Sequence, residues 1–225
     1  MVEGCDFSYD KDRIDPACLH ARGMRFVVRY VSSKSSGKNL NAVEAKRLDA
    51  AGLSIVCVYQ EGTSFMLGGP TRGVTAAISA RAAATACGMP PGRPIYFALD
   101  TDPAGLTTAE WSAVHAFCDG AASILGRANV GVYGAYAAIE RLCPRWAPWG
   151  WQTYAWSGGR WSAKAQLQQY KNNVSVCGGL IDHDRATAAD FGQWVPGQVP
   201  GDWFDHASIA DLHRVVGEEL RAVLP

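Results

Sequence analysis

The stretch PIYFALDTD, Pro94 to Asp102, is an apolar run of strand type that ends in two carboxylates one residue apart. Side chains two positions apart on a strand leave the same face, so Asp100 and Asp102 are expected to enter one space. Acids recur at the ends of other apolar runs, as Asp6, Glu61, Asp182 and Asp184. Singly, an Asp after a strand caps the next helix or turns the chain. Gathered at one mouth, such acids repel one another and cost stability unless the molecule uses them. Glycoside hydrolysis needs such a set. One carboxylic acid, kept protonated by burial and like charge, protonates the leaving oxygen, while another stabilises the oxocarbenium-like centre. Tyr59, Tyr133, Trp156 and Trp161 would offer flat faces to sugar rings, and Arg29, Gln60, Gln169 and Asp184 would bind hydroxyls at the rim. The bland reading of the aromatics is core packing, which suits some of the eight Trp.

These residues need a frame. The chain has 225 residues, 48% of them hydrophobic and 19% charged, enough to bury one sizeable core without disulfides. Lys+Arg and Asp+Glu both total 21, and no basic stripe is present to neutralise a phosphate backbone, so nucleic acid is not an expected partner. The seven Cys are odd in number and scattered, with no CxxC pair; reduced, buried thiols are expected rather than a disulfide framework or a zinc site. In DHD, residues 182–184, neighbouring side chains face opposite ways, which argues against a metal, and no cofactor motif is present. No apolar stretch is long enough for a membrane span, and MVEGCDFSYD lacks the pattern of a signal peptide. Synthesis in the cytoplasm is therefore expected, with action elsewhere only after release by phage lysis or another export route.

Apolar runs alternate with Ala-rich helical stretches up to Trp149: four strand-helix units in a row, which implies parallel strands with right-handed crossovers. After Trp149, GWQTYAWS, AQLQQYKN and GLIDHDRA are strand-like but too close together for intervening helices. Eight strands and about five helices predict a (β/α)8 TIM-like barrel with helices missing from its last quarter; an open doubly wound sheet is the alternative. In such a barrel the strand ends line one mouth: Asp6, Arg29, Tyr59 to Glu61, Asp100 and Asp102, Tyr133, Trp156, Gln169, then Asp182 and Asp184. The barrel is expected over residues 1–194. Residues 195–225 read as a Pro/Gly linker and an amphipathic helix, either folded back on the barrel or used for self-association or tethering.

Four pieces in order, GCDFS, RFVVRY with GKNLNAVEAKRLDAAGLSIVCVYQ, GMPPGRPIYFALDTD, and WQTYAWSGG through LQQY to GLIDHD, cover Gly4 to Ala186. Together they resemble the Rv2525c-like glycoside-hydrolase-like domain family, once catalogued as a domain of unknown function and related to the family 25 lysozymes. The resemblance implies a helix-poor β/α barrel acting on the glycan strand of peptidoglycan, between N-acetylmuramic acid and N-acetylglucosamine. It matches Asp6 to the acid of the first strand, Asp100 to the first member of an Asp-x-Glu pair, and Asp182 to the acid of the last strand. Asp102 stands where the lysozymes have the Glu that acts as general acid. Asp is one methylene shorter, and displacing a proton donor by about an ångström costs on the order of a hundredfold in rate. The resemblance thus implies Asp102, or Glu61 reaching across, as general acid, Asp100 orienting the substrate's N-acetyl group, and Asp6 and Asp182 at the rim. The alternatives are a glycan-binding module with a disabled acid and an assembly domain working through the C-terminal helix.

Overall fold

The computed structural model describes residues 1–9, 12–32 and 37–198. Eight strands close into one barrel in sequence order: β1 (Val2–Asp6), β2 (Phe26–Tyr30), β3 (Ser54–Tyr59), β4 (Ile95–Ala98), β5 (Val130–Gly134), β6 (Trp149–Thr153), β7 (Leu167–Val176) and β8 (Gly179–Ala186). The helices α1 (Pro16–Ala21), α2 (Ala42–Ala50), α3 (Gly69–Ala86), α4 (Thr108–Leu125) and α5 (Tyr136–Leu142) all precede β6. The TIM-like barrel short of helices in its last quarter is therefore the observed architecture. Local chemistry sets the helix starts: Asp15 caps α1, Asn41 caps α2, and Thr107 with Glu110 forms a capping box on α4. Helix α3 begins at Gly69, with Pro70 in its opening turn.

Parallel pairing runs from β1 through β7, but β8 is antiparallel to both β7 and β1. Only Cys177 and Gly178 separate β7 from β8, and so short a link can reverse a strand but cannot carry it back to a parallel start. Both link residues have positive φ, 51° and 94°, which suits a two-residue hairpin turn. Gly178 is needed there for a second reason: an added Cβ would lie 2.5 Å from the Arg13 carbonyl oxygen. The same turn brings Cys177 to α1, where it forms a disulfide with Cys18 and its carbonyl accepts the Asp15 N–H. The expectation of uniformly reduced thiols is thus corrected: spacing along the chain cannot reveal a partner 159 residues away. Cys5, Cys57, Cys87, Cys118 and Cys143 are free and buried.

Strand alternation divides the core into two layers. On β4, Phe97 faces outward and packs edge-on against Phe117 of α4, while Tyr96 turns inward toward Trp151. After β8 the chain crosses the bottom of the barrel: Trp194 exchanges backbone hydrogen bonds with Ile55, and the Phe191 ring packs tilted on Phe26 with centroids 4.7 Å apart. This plug covers the N-terminal strand ends and leaves the C-terminal ends as the mouth. Of the expected linker, residues 195–198 are described; the expected helix over 206–225 lies outside the described residues.

Helices α3 and α4 cross with backbones almost touching. A Cβ on Gly120 would meet the Pro70 carbonyl oxygen at 2.2 Å, and one on Gly73 the Phe117 carbonyl oxygen at 2.1 Å. Gly120→Ala is expected to cost about 1–3 kcal/mol by forcing the helices apart, read as a lower urea midpoint at unchanged m. Stabilisation by the up to ~1 kcal/mol that Ala gains over Gly in a helix interior would contradict this close approach.

Candidate active site

At the barrel mouth, Asp6, Tyr30, Val58, Gln60, Ala98, Asp100, Tyr133, Trp151, Gln169, Asn172 and Asp182 enclose a polar cavity of about 180 Å³. That is smaller than the ~300–1,000 Å³ of typical small-molecule sites, so a chain-like ligand would insert one group and leave the rest outside. Three carboxyls from three strands meet here, because Asp6 ends β1, Asp100 follows β4, and Asp182 lies opposite Asp6 in the antiparallel register.

A short network orders them. The Tyr133 hydroxyl donates to Gln169 Oε1 at 2.8 Å, which turns the Gln169 amide N–H₂ toward Asp6 Oδ2 at 2.7 Å and Asp182 Oδ2 at 3.3 Å. Asp182 Oδ1 also accepts the Asn173 N–H, where irregular pairing bends β7 and Asn173 takes a φ of 59°. Asp100 accepts from Gln60 Nε2 at 2.8 Å. Burial, and then the charge of Asp182, raises the Asp6 carboxyl to about 7; burial likewise raises Asp182. Asp6 therefore still carries a proton in part at neutral pH. Burial also raises the Tyr30 and Tyr133 hydroxyls, which stay protonated as donors.

Several residues expected at the mouth lie elsewhere. Tyr59 stands between Val58 and Gln60 on β3; those two face the cavity, so Tyr59 faces out and packs on Phe65 and Phe97. Arg29 alternates in the same way with Tyr30. It points outward, fully buried, donating from Nε to Glu44 Oε1 at 2.6 Å and from its Nη atoms to the carbonyls of Phe7 and Lys38. It ties β2 to α2 rather than facing a ligand. Asp102 is exposed: the chain turns after Asp100, and the Asp102 side chain caps the short 3₁₀ turn Pro103–Gly105 by accepting the Ala104 N–H. Glu61 is outside the cavity lining, with Oε2 3.9 Å from Arg72 Nη1 of α3. Trp156 follows the end of β6, half exposed in a turn with φ 53°, and Trp161 lies against Arg185. Asp184 is buried below the cavity. Because β8 runs antiparallel, a later residue lies deeper, not nearer the rim.

Sequence reasoning passed over Tyr30, Trp151 and Asn172. Tyr30 and Trp151 were detectable as the inward members of alternating runs whose neighbours, Arg29 and Gln152, face out. Asn172 lies in the irregular part of β7, where alternation breaks down; its buried Oδ1 has no hydrogen-bond partner among the described residues and is open to a donor from a ligand.

The model of the family described as "Rv2525c-like, glycoside hydrolase-like domain" matches residues 17–188. A Mycobacterium tuberculosis protein, Rv2525c, named as a candidate peptidoglycan hydrolase, is 28% identical over 208 residues, covering 85% of this chain and 84% of that protein. A crystal structure of the Tat-secreted protein Rv2525c in complex with L-tartrate superposes with a TM-score of 0.77 at 26% identity, over 86% of this chain and 98% of that one. A muramidase from Trichobolus zukalii shares the fold, with a TM-score of 0.59 at 17% identity over 84% of this chain and 94% of that one.

Proposed function

This chain belongs to the Rv2525c-like, glycoside hydrolase-like domain family, and from that membership we propose that it hydrolyses the glycan strand of peptidoglycan. The observation that carries the reading is the meeting of Asp6, Asp100 and Asp182 in one cavity with Asp6 raised to about 7. A carboxyl that holds a proton near the working pH is what a general acid requires. Asp6 protonates the glycosidic oxygen as the C1–O bond breaks. Asp100, steadied by Gln60, holds the N–H of the substrate's N-acetyl group while its carbonyl oxygen bonds to C1. Water then opens that ring, returning a proton to Asp6, and the sum is addition of one water across the bond. Asp102 and Glu61 take no part in this reading, because both side chains are engaged outside the cavity.

Residues 1–194 carry this activity, and residues 195–225 serve as tether or self-association segment. Action at the cell wall is supported by one relative, Rv2525c, which is named for peptidoglycan hydrolysis and described as Tat-secreted. It is also supported by the Cys18–Cys177 bridge, which persists outside a reducing cytosol. No described helix is long and apolar enough to cross a membrane.

One observation favours a second reading, glycan binding without cleavage: the residue aligned with the lysozyme general acid, Asp102, caps a surface turn. Incubation with insoluble peptidoglycan separates the two. Hydrolysis releases reducing ends into the supernatant, and Asp100→Asn, with its fold intact, is expected to lower that release by about 10²-fold or more. Sedimentation of the intact protein with the wall and no release would favour the binding reading.

A further inference from the structure

Asp184 sits directly beneath this cavity and is used by none of the steps above. It lies on β8 opposite Gly4 of β1, below the Asp182–Asp6 pair, and is fully buried. Its Oδ1 accepts the Trp151 indole N–H at 2.9 Å, which fixes the ring that forms one wall of the cavity. Its Oδ2 is buried with no N–H or hydroxyl donor among the described residues. The group that it meets is the carboxyl of Asp6. Two carboxylate oxygens bond only when a proton lies between them, and an ionised Asp184 would have no donor at Oδ2 among the described residues.

We infer that Asp184 is a positioning residue, a buried carboxylic acid that donates its own hydroxyl to Asp6 while holding Trp151 in place. Other groups with fields at this point are Asp182 on β8, Cys5 on β1 and Tyr170 on β7; Arg29 on β2 is the cation that acts on Asp6 and Cys5. Burial, then the charge of Asp6, pushes the Asp184 carboxyl well above the usual range, in keeping with that role. The hydrogen bond it gives works in the opposite direction on Asp6, favouring the ionised form, and so offsets part of the burial effect. Asp184 thus helps to set where Asp6 titrates. The inference takes from the proposed function only the importance of Asp6, and a test by titration decides it whether or not the chain cleaves glycan.

The test follows the Asp6 carboxyl by ¹³C NMR titration in the wild type, Asp184→Asn and Asp184→Leu. Asn keeps an acceptor for Trp151 and a donor for Asp6, so the Asp6 midpoint is expected to stay at its wild-type value. Leu removes the donor, and the midpoint is expected to rise by roughly one to two units. A fall in Asp184→Asn would mean that a negative charge had been removed, and no change in Asp184→Leu would mean that no bond existed; either overturns the inference. Should Asp184→Leu fail to fold, infrared spectra two units above the Asp6 midpoint decide. A protonated-carboxyl stretch present in the wild type and missing from Asp184→Asn is expected, and its absence from the wild type overturns the inference.

Discussion

Asp6→Asn is expected to lower glycan cleavage by about 10²–10⁴-fold, the usual loss when a general acid is removed, while making the fold more stable at pH 8. The two effects share a cause. Folded Asp6 keeps its proton up to about 7, whereas the unfolded chain releases it near the ordinary aspartate value of 3.8. Between those values the folded state binds more protons, so stability falls as pH rises through the window, by up to about 1.4 kcal/mol per unit for one such group. Burial shifts Asp182 and Asp184 in the same direction. Wild-type protein should therefore unfold at a higher denaturant concentration at pH 5 than at pH 8, and Asp6→Asn should flatten that slope. Cleavage by the wild type should decline as pH rises past about 7, when the donor loses its proton. Full activity in Asp6→Asn would remove Asp6 from proton transfer, and an unchanged pH slope would mean that its proton affinity is not raised in the folded state.

The second large effect concerns the Cys18–Cys177 bridge. Replacing both cysteines by Ser is expected to cost about 2–5 kcal/mol, toward the upper end because closing so long a loop removes about 5 kcal/mol of chain entropy from the unfolded state. The position of the bridge adds a functional consequence. It pins the β7–β8 hairpin to α1, and that hairpin supplies Gln169, Asn172 and Asp182 to the cavity. Thermal unfolding with and without reductant measures the first effect, and wall cleavage below the melting transition measures the second. A wild-type melting curve indifferent to reductant, in protein whose thiols titrate as free after reduction, would contradict the stabilising role.

What could be read in advance follows the physics of strands. Alternating apolar runs and capped helices specify the barrel, because Asp15, Asn41 and Thr107 each mark a helix start and the short spacings after Trp149 leave no room for more helices. Asp6, Asp100 and Asp182 were visible as polar ends of buried runs, and they share the cavity. Adjacent residues were harder. Arg29 and Tyr59 lie beside inward-facing positions, and a shift of one residue turns a side chain to the opposite layer. Asp102 follows Asp100 by two, yet the strand ends at Ala98 and the turn that begins there sends Asp102 to the surface. The depth of Asp184 depends on the direction of β8, and the disulfide depends on where that hairpin's tip lands. Both are tertiary facts that no local pattern encodes.

The most direct test of the central claim, that the gathered carboxyls break a glycan bond, is mass spectrometry of the soluble products from purified peptidoglycan incubated with the wild type and with Asp6→Asn. The account predicts fragments with new reducing N-acetylmuramic acid ends from the wild type and at most traces from the variant. Intact glycan strands, or fragments produced at equal rates by both proteins, would contradict it.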